Sequence, residues 1–108
     1  EFEVSCVVHE PLLLMETVEQ QKPDVVITDI NMPGANGIEL GRLLIERKLC
    51  DAVVILTVYN EPHMIQRAFD SGIRGYVLKV DAGEELAAAV QAVISGYRYL
   101  SRGVRAHS

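Results

Sequence analysis

The chain has 108 residues, 49% hydrophobic content and a formal net charge of −5. That length gives one compact domain rather than two. The apolar content excludes a disordered chain, and the acidic balance argues against a body that binds DNA or anionic membrane through bulk charge. No apolar run approaches a membrane span, short stretches such as Leu12-Leu13-Leu14-Met15 being typical. No basic segment followed by an apolar one marks a secretion signal, so a cytoplasmic protein with no membrane contact is expected.

Apolar runs alternate with amphipathic stretches, the pattern of a parallel α/β sheet. Val4 to Val8 is the first strand signal, followed by a helical stretch from Pro11 to Gln21 with proline in the first turn. Pro23-Asp24 breaks that helix and Val25 to Ile30 forms the next strand. These strands are near-continuous Val, Ile and Leu, as expected for burial on both faces. A loop over 31–37 leads into a helix from Ile38 to Lys48, with Glu39, Arg42 and Glu46 on its wet side.

Val53 to Thr57 is the third strand. Asn60 is the predicted N-cap of the next helix, with Pro62 in its first turn and Met64, Ile65, Ala68 and Phe69 facing inward. Ser71-Gly72 ends it through a left-handed residue. Gly75 to Lys79 is the fourth strand. Asp81 and Glu84 form a capping-box-like pair, and Leu86, Ala89, Val90, Val93 and Ile94 mark an amphipathic helix that stops at Gly96. Residues 98–108, with Arg98, Arg102 and Arg105, read as the start of an exposed linker after a 1–97 domain.

Three polar residues end successive strands: Asp29, Thr57 and Lys79. In open parallel sheets the carboxyl edge is where ligands bind. An aspartate there can act as a nucleophile toward phosphorus and become an aspartyl phosphate. The lysine ammonium offsets the added negative charge, and the threonine hydroxyl donates to a phosphoryl oxygen. A divalent metal such as Mg²⁺ would bridge carboxylate and phosphoryl oxygens. Each residue alone has an ordinary reading: a turn cap, a β-branched strand residue, a solvated strand end. All three at one sheet edge are harder to explain that way. Cys6 and Cys50 lack ligand spacing and read as buried thiols in a reducing compartment, and His9, His63 and His107 read as surface or capping residues.

The segment from Lys22 to Gly37, with Asp29 inside it, resembles the phosphoacceptor region of bacterial response-regulator receiver domains. Thr57, Lys79 and Tyr76 fall where that family has its Ser/Thr, its lysine and its switch aromatic. Gly75-Tyr76-Val77-Leu78-Lys79 and Gly96-Tyr97-Arg98-Tyr99-Leu100-Ser101 are most similar to the NarL/FixJ subfamily, whose members usually carry a LuxR-type helix-turn-helix. The resemblance implies a flavodoxin-like open parallel sheet flanked by helices. It implies phosphorylation of Asp29 by a histidine kinase, with at most self-catalysed uptake and loss of the group. It implies Mg²⁺ held by Asp29 and the Asn31 backbone carbonyl, a homodimer, and DNA contact only through an effector domain. After phosphorylation Thr57 moves toward the phosphoryl group, Tyr76 turns into the vacated space, and the 61–96 face changes partners. Val58 and Tyr59 are bulkier than the residues many receivers place after the threonine, which would narrow access to Asp29 and lengthen the life of the phosphate.

The resemblance departs at the N-terminus. Receivers have five strands in the order 2-1-3-4-5 and an acidic pair after the first, whereas four strand signals are present here. Counted without gaps, Phe2 to Val8 falls on the second family strand, so one strand-helix unit and the acidic pair are absent. Three arrangements are open: a fragment of a longer protein; a second chain completing the sheet; or Val4 to Val8 in the first-strand position, with residues 11–21 as a direct crossover and Glu10 as a lone substitute acid. The alternative function is a degenerate, phosphate-independent dimerisation or docking module. A flavodoxin-like small-molecule binder is a third reading, weakened because no Gly-rich phosphate loop follows the first strand.

Overall fold

The computed structural model describes residues 4–5, 24–32 and 35–105. The predicted helix 11–21, together with Cys6, His9, Glu10 and His107, lies outside them. The elements are β1 (Val4–Ser5), β2 (Val25–Thr28), β3 (Asn31–Met32), β4 (Ala35–Asn36), α1 (Gly37–Glu46), β5 (Val53–Thr57), α2 (Pro62–Asp70), β6 (Gly75–Leu78), a 3₁₀ turn (Lys79–Asp81), α3 (Ala82–Ile94), β7 (Tyr99–Leu100) and α4 (Arg102–Arg105).

Five strands form one sheet in the order β1-β2-β5-β6-β7, and every neighbouring pair is parallel. The run Val25–Thr28 is buried throughout, as is Gly75–Leu78. This is the two-faced burial that unalternating Val/Ile/Leu runs call for. One face packs Val26, Val53, Ile55, Tyr76 and Leu78 against Ile38, Leu40 and Leu44 of α1 and Ala68 of α2. The opposite face packs Val25, Ile27, Val54 and Val77 against Ala89, Val90 and Val93 of α3.

Val4 and Ser5 pair with Val25 and Val26. The described pairing therefore follows the arrangement in which the first strand signal lies beside the Asp29 strand. The expected loop 31–37 contains a short antiparallel pair, Asn31 with Asn36 and Met32 with Ala35. It delivers Asn36 to the start of α1, where its Oδ1 accepts from the Ile38 amide at 2.8 Å.

Three expectations need correction. Residues 98–105 do not run off as an exposed linker: Tyr99 and Leu100 pair with Gly75 and Tyr76, and Val104 is buried in the core. Asn60 does not cap α2. The cap position falls on Glu61 without a side-chain bond, while Asn60 Nδ2 donates to the Gly103 carbonyl at 3.1 Å. Asp81 makes no side-chain cap to α3 and accepts instead from Ser101 and Gly103. Local sequence marks a residue as able to cap, but a tertiary partner that offers a better-placed donor takes it.

The left-handed helix end at Gly72 and the helix stop at Gly96 are as read from sequence, and Gly96 is left-handed as well. Gly72 has φ +94 and Gly96 has φ +92, where a side chain would be strained. Cys50, one of the two expected buried thiols, is buried with its Sγ donating to the Ala52 carbonyl at 3.3 Å, and burial pushes its thiol up.

Candidate phosphoacceptor site

β2 ends at Thr28, so Asp29 leaves the sheet at its carboxyl edge. The backbone around it is tightly enclosed. The Gly37 amide donates to the Ile30 carbonyl at 2.7 Å. A Cβ on Gly37 would run into the Asp29 carbonyl. The chain at Gly37 thus lies directly against the aspartate's own peptide, and only glycine allows that approach at position 37.

The Asp29 side chain is fixed at both oxygens. Oδ1 accepts from the Ile30 amide at 2.7 Å. Oδ2 lies 2.8 Å from Lys79 Nζ, with the aspartate side chain 16% exposed and the lysine 48% exposed. A short charge-assisted contact at a half-wet site orients the pair more than it stabilises the fold. The carboxylate stays reachable from solvent beside a cation.

Thr57 ends β5 and is buried. Its Oγ1 accepts from the Tyr59 amide at 3.2 Å. Among the described residues no acceptor takes its hydroxyl proton, which is an unspent donor at the sheet edge. No hydrogen bond joins Thr57 to Asp29 or Lys79 among the described residues. The three strand ends therefore share an edge, but only Asp29 and Lys79 touch.

Tyr76 is fully buried in β6, and its hydroxyl donates to the Tyr59 carbonyl at 2.7 Å. Burial, with a smaller contribution from Glu61, pushes its phenol up to about 12. The ring lies inside the core, on the face it shares with Ile55 and Leu78. Val58 is 68% exposed and Val80 87% exposed. Val58 follows Thr57 in sequence and Val80 follows Lys79, so each strand end is succeeded by an exposed apolar residue.

The described residues do not by themselves make a Mg²⁺ site. No group of three or more His, Cys, Asp or Glu side chains gathers among them, and both oxygens of Asp29 are already engaged. Asn31 lies in β3, two residues after Asp29, and Glu10 is outside the described residues. A hard divalent cation needs more oxygen donors than one carboxylate supplies.

Sequence reasoning missed Glu85. It lies in the first turn of α3, where it is buried and accepts from the Tyr99 hydroxyl and the Arg102 amide. Its place beside Leu86 on a helix with apolar Ala89 and Val93 is the one signal that it faces inward.

Comparison with known proteins agrees with the geometry. Residues 1–91 match the family described as "Response regulator receiver domain". The transcriptional regulatory protein DesR of Bacillus subtilis (strain 168) is 39% identical over 84 residues, covering 78% of this chain and 41% of that protein. The transcriptional regulatory protein DegU of Brevibacillus brevis is 35% identical over 100 residues, covering 93% of this chain and 42% of that protein. A crystal structure of a LuxR-family two-component response regulator from Aurantimonas sp. SI85-9A1 superposes with a TM-score of 0.82 at 26% identity, covering 90% of this chain and 69% of that chain. The chain spans about two fifths of the length of the curated relatives it matches. With its parallel sheet, its strand-tip aspartate and the lysine set against it, the chain belongs to the response regulator receiver domain family.

Proposed function

We propose that this chain is the phosphoacceptor module of a response regulator that controls transcription, and that Asp29 receives the phosphoryl group from a histidine kinase. The observation that carries the reading is the 2.8 Å contact between Lys79 Nζ and Asp29 Oδ2 at the carboxyl edge of the sheet. In the transfer, an Asp29 carboxylate oxygen forms a bond to phosphorus and the phosphorus–nitrogen bond of the phosphohistidine breaks. The electron pair stays on the imidazole nitrogen, which then takes a proton. The Ile30 amide fixes how the carboxylate faces the incoming group. Lys79 offsets the charge that builds on the phosphoryl oxygens, and the Thr57 hydroxyl supplies its free proton to one of them.

Receiver domains are signalling modules rather than classical enzymes. Self-catalysed uptake from small phosphodonors and self-catalysed loss are the only activities proposed. Receiver domains generally bind Mg²⁺; in this chain Asp29, the Asn31 carbonyl and Glu10 are its proposed ligands. Receiver domains of response regulators interact with histidine kinases and dimerise; a homodimer is proposed here, with DNA reached through an effector domain. Response regulators are generally cytoplasmic, and the same setting is proposed here; none of the described helices is long and apolar enough to cross a membrane.

Acetyl phosphate in the presence of Mg²⁺, followed by intact mass, tests the reading. One phosphoryl group is expected on the chain and none on Asp29→Asn. No adduct on the unaltered chain leaves the phosphate-independent docking module in its place.

A further inference from the structure

The segment beyond α3 is held in an unusual way. β2 to β5, β5 to β6 and β6 to β7 all step in the same direction across the sheet. The first two crossovers use α1 and α2 on one face, and the third uses α3 on the other. The last crossover therefore has the hand opposite to the other two, and parallel strand crossovers are nearly all of one hand. β7 is two residues long and pairs along one side. Strand pairing alone is a weak hold for such a segment.

What holds it is polar. Ser101 Oγ donates to Asp81 Oδ2 at 2.7 Å and accepts from the Leu78 amide at 3.0 Å. The Gly103 amide donates to the same Asp81 oxygen at 2.8 Å. Glu85 takes the Tyr99 hydroxyl at 2.7 Å and the Arg102 amide at 2.9 Å. Glu85 lies in the first turn of α3, and Asp81 stands at the cap position of that helix and closes the 3₁₀ turn Lys79–Asp81. That turn begins with the lysine bound to Asp29. Only Val80 separates the site's cation from the carboxylate that grips Ser101 and Gly103.

We infer that residues 99–105 form a strap across the β6 edge, latched by Asp81 and Glu85 and loosened through Lys79 when Asp29 takes up a phosphoryl group. The inference rests on the function proposed above. A phosphoryl group places its oxygens beyond Asp29 Oδ2, and the Lys79 ammonium must shift to follow them. The short turn passes that shift to Asp81, whose two hydrogen bonds to the strap need their present geometry. The strap also bears on the core, through buried Val104 against the face that holds Tyr76 and Leu78. Through Asn60 it bears on the loop after Thr57 as well. Its release thus reports on the site as a two-state element biased by a local charge.

Amide hydrogen exchange on the full chain tests this, with intact mass read on the same samples. The reporters are the Tyr99 and Ser101 amides, which donate to the Arg74 and Tyr76 carbonyls. After acetyl phosphate treatment that adds mass, both are expected to exchange about tenfold faster while the β5 amides hold their rates. Ser101→Ala, and separately Asp81→Ala, are expected to give the same acceleration without a phosphodonor. Unchanged or slower exchange at these two amides in a sample that has gained the phosphoryl mass overturns the strap. If no mass is gained, the functional reading fails by itself. Lys79→Ala then decides the strap alone: faster exchange at Tyr99 and Ser101 supports the link from Lys79 to Asp81, and unaltered exchange overturns it.

Discussion

The Tyr76 hydroxyl is bonded to the backbone carbonyl of Tyr59 at 2.7 Å, and the Tyr59 amide in turn donates to the Thr57 hydroxyl oxygen at 3.2 Å. One residue of the β5–α2 loop thereby ties the strand-end threonine to a buried aromatic on the neighbouring strand. Any displacement of Thr57 pulls on the segment that holds Tyr76 in place. Tyr76→Phe keeps the ring and removes the tie. A loss of about 1 kcal/mol is expected, read as a lower midpoint in urea with an unchanged slope. An unshifted midpoint would show that the hydroxyl adds nothing to holding the ring inside.

The raised Tyr76 phenol has a consequence at high pH. Its folded value of about 12 lies above the ordinary value of 10. The unfolded chain therefore releases this proton first as pH rises. The stabilisation is whole below pH 10 and is lost between 10 and 12, at most about 2 to 3 kcal/mol. Unfolding followed across that window, in the chain and in Tyr76→Phe, should show an alkaline decline that the variant partly lacks.

Gly37→Ala places a methyl group against the Asp29 carbonyl. Backbone meets backbone there, so no side chain can move aside. A loss of about 2 to 4 kcal/mol is expected, together with slower phosphoryl uptake, because the carboxylate and its peptide move as one unit. A fully stable, fully reactive variant would refute the tight turn.

Lys79 separates stability from chemistry. Its pair with Asp29 is half exposed on the lysine side, so Lys79→Met should alter stability by no more than about 1 kcal/mol. Removal of a preorganised cation from the transferring group should slow phosphoryl uptake by about 100-fold. Time courses of intact mass with acetyl phosphate measure it. An undiminished rate would remove Lys79 from the site's chemistry.

Val104 tests whether the last residues belong to the folded body. The side chain is 1% exposed, in the same core as Tyr76 and Leu78. Val104→Ala should cost about 2 kcal/mol. A surface-like change near zero, measured by thermal or urea unfolding, would return 98–108 to the status of a linker.

The apolar runs 25–30, 53–57 and 75–79 determined by themselves where the three long central strands lie, because unbroken Val, Ile and Leu have no stable place except inside a two-faced sheet. The chain also placed Thr57 at a strand end and Asp29 and Lys79 one residue past theirs, and Gly72 and Gly96 marked where helices stop. Tertiary structure alone decided which of the polar ends meet. Asp29 and Lys79 touch, whereas Thr57 turns to the Tyr59 amide, since contact depends on strand order and loop path and not on a residue's own position in the chain. The fate of Asn60, Asp81 and Glu85 was likewise settled at a distance. Their local sequence suits caps and a wet helix start, but partners up to 43 positions away drew them onto the strap. Local patterns fix which segments are strands and helices because propensity and burial act over neighbouring residues. Hydrogen bonds between distant segments carry no such pattern, and only the folded chain brings their donors and acceptors together.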